Sequence, residues 1–235
     1  MRLRSGMLAT VPELMCLRLV CSGLAWLLIS AAPAPAPLTI TEVLRAQYAA
    51  WTPVAADTTP LALLKTLALD WEAASAQLSP LLDDAHAYAE LRGMSPLPDG
   101  RKSVGVMRAA LYLTSARSGT LVLNDDWCAA GLCKARTRFV LLALGRANLP
   151  LAEARVVPRI LDRDLLNGPP PECLKGVTLG VQYLPSRYDT GLTAMATVSP
   201  QVRAGCEQTG TELALVTRPL RLNWNAATGK FVRAW

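Results

Sequence analysis

Apolar positions follow three different rhythms along this chain. They run almost unbroken over residues 19–29, recur at three- and four-residue steps from Leu61 to Leu78, and alternate with polar positions over 220–224 and 230–235. The first rhythm has Arg18 before it, Arg2 and Arg4 further upstream, and the small residues Ser30, Ala31 and Ala32 behind it. A positive lead, a short apolar core and a small-residue exit predict a secretory signal over residues 1–36. The run is shorter than the about 20 residues that cross a bilayer, so membrane contact is expected only through this segment if it stays uncleaved. Met15 makes a tidier start than Met1, because Glu13 interrupts the lead. The alternating Ala and Pro of residues 32–37 leave the cleavage point open.

The second rhythm predicts helices. Thr39 and Glu42 have the spacing of a capping box that opens a helix to about residue 50, stopped by Pro53. Thr59-Pro60 places a capping hydroxyl before a proline at the first helical position, and Leu61, Leu64, Ala68, Trp71 and Leu78 form one stripe behind it. Ser79-Pro80 repeats the start signal, Asp83 and Asp84 suit the first turn, and Gly93 suits a stop. Residues 103–117 and 133–147 read as further helices, with a short β-rich run at 120–123 between them.

From Ala154 the runs shorten and favour strand formers: Val156-Val157, 177–183, 192–198 and 212–217, each bounded by Gly, Pro or Asn. The final alternation around a polar turn predicts a C-terminal hairpin. The expected fold class is α+β, with a helical part over about 39–148 and an antiparallel β-sheet over about 154–235, in a single domain of residues 37–235.

Charge and cysteine content narrow the chemistry. Removing Arg2, Arg4, Arg18 and Glu13 from the 24 basic and 18 acidic residues leaves a net charge of +4, spread along the chain. No basic run supports nucleic-acid binding. Of six cysteines, Cys16 and Cys21 leave with the signal, and Cys128, Cys133, Cys173 and Cys206 remain. An even set in an exported chain predicts two disulfides, and local spacing favours Cys128 with Cys133 and Cys173 with Cys206 among three possible pairings. Their spacing fits no zinc site, and His86, the only histidine, lies far upstream, so neither a metal nor a cofactor is expected.

Other polar groups have structural readings. Asn124-Asp125-Asp126 suits a turn or cap better than a cation site. Asp162-Arg163-Asp164 suits a solvated salt-linked turn, and Trp224, Phe231 and Trp235 on the terminal hairpin suit sheet-core packing better than a binding platform.

One constellation points to catalysis. Gly131-Leu132-Cys133 at an expected helix start, then Leu149-Pro150, then Ala154-Arg155-Val156-Val157, resembles the core segment of transglutaminase-like cysteine hydrolases. The resemblance implies Cys133 as nucleophile at the head of a core helix that leads into a strand. Such chemistry needs a base beside the thiol. No histidine follows Cys133, which leaves His86 as the sole candidate. The favoured reading is therefore an exported accessory or binding protein, periplasmic or secreted, braced by disulfides, whose partner is another protein or an envelope component. A cysteine hydrolase or transferase using Cys133 and His86 is the alternative.

Overall fold

The computed structural model describes residues 36–143 and 149–234, and the signal-like segment and Trp235 lie outside them. Three short helices come first: α1 (Ile40–Ala50), α2 (Pro60–Thr66) and α3 (Trp71–Gln77). The capping box of Thr39 and Glu42 opens α1, and Thr59 caps α2 ahead of Pro60. The apolar stripe of residues 61–78 is two helices and not one. The break falls at Ala68, whose φ of 58° no helix accommodates, and Asp70 then caps α3 by accepting from the Ala73 amide.

A six-stranded antiparallel meander follows, in the order β1 (Ser79–Asp83), β2 (Tyr88–Pro96), β3 (Lys102–Ser115), β4 (Ser118–Ala129), β5 (Leu132–Leu142) and β6 (Leu149–Leu151). The expectation of a helical N-terminal half is wrong here. Residues 80–93, 103–117 and 133–142, read as helices, form the largest sheet of the molecule. Helices also recur late: α4 (Glu153–Val156), α5 (Asp162–Leu165), α6 (Pro200–Gln208) and α7 (Leu213–Val216). Two of the short runs read as strands, Val156-Val157 and 212–217, fall on the ends or bodies of α4 and α7.

A second antiparallel sheet orders β10 (Lys230–Arg233), β9 (Leu220–Asn225), β8 (Gly191–Thr197) and β7 (Gly180–Pro185). Its β9–β10 pair is the C-terminal hairpin expected from the alternation.

The central sheet is buried on both faces at one end. Met107, Ala109, Leu111, Leu121, Leu123 and Val140 pack against the residues of α1–α3. The intervening Ala110, Tyr112, Val122 and Phe139 pack against Tyr183, Leu192, Leu222 and Phe231 of the second sheet. This three-layer arrangement removes the apolar–polar alternation that marks a strand with one wet face. Trp224 joins this core: its indole donates to the Leu113 carbonyl at 3.0 Å, and its ring lies 4.9 Å from that of Phe231.

Candidate binding groove

The opposite end of the central sheet is open. β4 and β5 are joined by Ala130 and Gly131, with φ of 54° and 80°. Two consecutive positive-φ residues make a two-residue turn of the kind that matches strand twist. Gly131 therefore turns a hairpin and does not open a helix. Cys128 and Cys133 face each other directly behind the turn, with Cα atoms 3.9 Å apart, and are disulfide-bonded. The second bridge joins Cys173 to Cys206. Both are the locally spaced pairs.

Register fixes which backbone groups are occupied. In a two-residue hairpin the flanking residues, here Ala129 and Leu132, form a hydrogen-bonded pair, and paired types then alternate. Cys133, Ala135 and Thr137 accordingly turn their N–H and C=O away from β4. β6 covers that edge only at residues 139–141. Continuing its register would place Glu153 beside Thr137, but the chain turns into α4 at Glu153. The strand position beside residues 133–137 is left unfilled among the described residues.

Two concavities flank this edge. One, of about 770 Å³, lies toward the second sheet, between the hairpin, β7 and α6, with Asp126, Arg203 and Glu207 on its walls. The other, of about 480 Å³, lies toward the helices and is lined by Val54, Asp57 and Trp127. Lys134, Ala135 and Arg136 border both. The far wall of the larger one is held by the Cys173 bridge, because Cys206 sits fully buried on α6. Closing a loop with a sequence separation of 33 stabilises by roughly 3.7 kcal/mol in the chain-entropy model.

An ion cluster shapes the helix-side wall. Arg136 donates to Asp57 at 3.0 Å and to Asp125 at 3.1 Å, and Arg138 donates to Asp125 at 2.9 Å. Both carboxylates are nearly inaccessible, at 8% and 3% exposure. Burial pushes the Asp57 carboxyl up, but hydrogen bonds from Arg136 and Thr59 outweigh it and hold it below its ordinary value. The Arg136 guanidinium lies 5.4 Å over the Trp127 ring, and the Trp127 indole donates to Thr58 at 3.1 Å. The loop carrying Asp57 is thereby fastened to the sheet. By contrast, Asp126, Lys134, Arg203 and Glu207 make no ion pair among the described residues.

The structure does not bring Cys133 and His86 together. His86 ends a single 3-10 turn between β1 and β2, where its Nδ1 lies 2.9 Å from Asp83 Oδ2. Arg187 donates to the same oxygen at 2.7 Å. Along the sheet, Cys133 is level with Met94, six residues from Tyr88 at the His86 end. That is about 20 Å along the strands, before three strand spacings are added across them. Cys133 also lies on a strand with its sulfur bonded to Cys128, not at a helix N-terminus.

Asn124, Asp125 and Asp126 are consecutive strand residues whose side chains point to alternate faces, so they do not converge on a cation. No cluster of three metal-ligating side chains occurs among the described residues. Asp164 accepts from the Leu161 amide and pairs with Arg233, so the acidic turn is tied to the C-terminal strand and not to Arg163.

Arg136, Asp57, Trp127 and the β5 edge were not singled out by the sequence. The alternation of Lys134, Arg136 and Arg138 was a usable sign, because it follows strand period and not helix period.

Comparison with known proteins found no family model and no curated protein that matches. One solved structure, described as "Structure of a domain of an uncharacterized protein from Porphyromonas gingivalis W83", is 15% identical. The alignment covers 73% of this chain and 85% of that one, at a TM-score of 0.39.

Proposed function

We propose that the chain is an exported, disulfide-braced binding protein whose ligand occupies the groove along the β5 edge. The observation that carries this reading is a strand position left unfilled among the described residues, between two concavities bordered by Asp126, Lys134, Arg203 and Glu207, which make no ion pair among those residues. The two bridges support an oxidising compartment, where such bonds form and persist. Among the described residues no helix is long and apolar enough to cross a membrane. With Cys133 in a bridge and His86 about 20 Å away along the strands, binding is supported over thiol chemistry.

The test has two parts. Cell fractionation with alkylation in situ should find the tagged protein outside the cytosol with its four mature-region cysteines protected. In two-dimensional NMR, a mixed panel of saccharides, nucleotides, lipid headgroups and peptides should shift the Lys134, Ala135 and Arg203 amides. Rapid alkylation of Cys133 in the native protein, or shifts confined to another surface, would overturn the reading.

A further inference from the structure

We propose that the groove takes an extended peptide, which adds to β5 as a further strand and presents an acidic side chain toward Lys134. This rests on the groove reading above and names the class of its ligand. The outward backbone groups of Cys133, Ala135 and Thr137 offer three donors and three acceptors over about 17 Å of strand. A strand laid beside them sends its side chains alternately to opposite faces, and an open concavity waits on each face. Lys134, Ala135 and Arg136 border both concavities. That sharing is the signature of an edge with a pocket on either side, the geometry in which main-chain bonds give affinity and side-chain pockets give selectivity.

Charge selects the occupant. On the helix side, Lys134, Arg136 and Arg138 stand at alternate positions, while the buried Asp57 and Asp125 neutralise two of the three. Among the described residues Lys134 is the member of that row left without a carboxylate partner. A second copy of this chain fits badly: antiparallel pairing centred on Ala135 sets Lys134 against Arg136 of the other copy, and like charges directly opposed destabilise a strand pair. An acidic strand meets attraction at Lys134.

The probe is a fluorescein-labelled peptide, Thr-Val-Glu-Val-Glu-Val-Glu-Thr, titrated into the oxidised full chain by fluorescence anisotropy. Saturable binding is expected, weakened about tenfold when alternate amides of the peptide are N-methylated. Ala135→Pro should weaken it to a similar degree. Ala135 and Asp126 form a non-hydrogen-bonded pair, so proline there deletes an outward donor and spares the β4–β5 ladder. Lys134→Glu should cost about fivefold. The N-methylated peptide keeps the test independent of whether the proline variant folds.

Equal binding of the N-methylated peptide, or of a peptide with Lys in place of Glu, overturns the inference. So does a free protein that is a dimer from which the peptide is excluded. If the peptide fails while another probe shifts Lys134, Ala135 and Arg203, the groove reading stands and strand addition falls. If no probe shifts them, both fall.

Discussion

Where β4 passes Leu121 and Val122, the central sheet is covered on both faces and both side chains are fully buried. Seven residues further on, the same strand reaches Cys128 with one face open, and its neighbour Val104 is 49% exposed. The β5 edge follows the same division, capped by β6 at residues 139–141 and, among the described residues, bare at 133–137. One end is ordered by burial of side chains from three layers. The other is ordered by a covalent bridge and by ion pairs, which hold a shape without filling it. A protein built this way keeps its stability where water is excluded and leaves its backbone groups available where water remains.

Breaking the covered end should cost the most. Leu121→Ala removes a side chain at 0% exposure from a core shared by α1–α3 and the sheet. Such truncations leave cavities that collapse only in part, and a loss of about 3–4 kcal/mol is expected. Urea unfolding gives this directly from the midpoint and slope. A loss under about 1 kcal/mol means the three-layer packing is not what holds this end.

The open end should depend on its bridge. Cys128→Ser with Cys133→Ser opens a loop with a sequence separation of 5, worth about 2 kcal/mol by chain entropy. The same variant should blur the groove, since the bridge fixes the hairpin that forms one wall. NMR shifts spreading over residues 126–137, with the Leu121 region unmoved, would show that the two ends respond separately. Shifts of equal size at both ends deny the division.

What could be read in advance follows the same line. The starts of α1 and α2 were legible because Thr39, Glu42, Thr59 and Pro60 act within one turn of themselves. The C-terminal hairpin was legible because its strands keep a wet face: Leu222 is buried while Arg221 and Asn223 are exposed. β3 hid itself by being buried twice. Met107, Ala109 and Leu111 serve one core and Ala110 and Tyr112 the other, so the run has no period of two, and Ala, Leu and Met are good helix formers. A glycine's positive φ leaves no mark in the sequence, so Gly131 suits a helix start as well as the hairpin turn it makes. The link between Asp57 and Arg136 spans 79 positions, which no local pattern can report.

The ion cluster gives a smaller and pH-dependent handle on the open end. Asp57→Asn removes the charge that holds Arg136, and since Arg136 keeps one-third of its surface in water, about 1 kcal/mol is expected. The Asp57 carboxyl is held below its ordinary value of 3.8 in the folded protein. Its contribution is therefore complete above that value and fades as pH falls through the lowered one. The gap in urea midpoint between the native chain and Asp57→Asn should be constant from pH 7 to about 5 and should close in stronger acid. A gap unchanged at pH 3 shows that Asp57 acts through the shape of its loop and not through its charge.

The least costly changes should lie on the bare face itself. Val104 and Met94 are register partners on the side that the second sheet leaves uncovered, with exposures of 49% and 54%. Val104→Thr keeps the β-branch that suits a strand, and Met94→Gln keeps length and flexibility. Neither empties a cavity or strands a buried polar group, so each should move stability by no more than about 0.5 kcal/mol. The contrast with Leu121, one strand from Val104 and two from Met94, is the sharpest form of the comparison. If either change costs more than about 1 kcal/mol, the bare face is covered in solution. The division of labour between the two ends then has to be redrawn with that cover as part of the core.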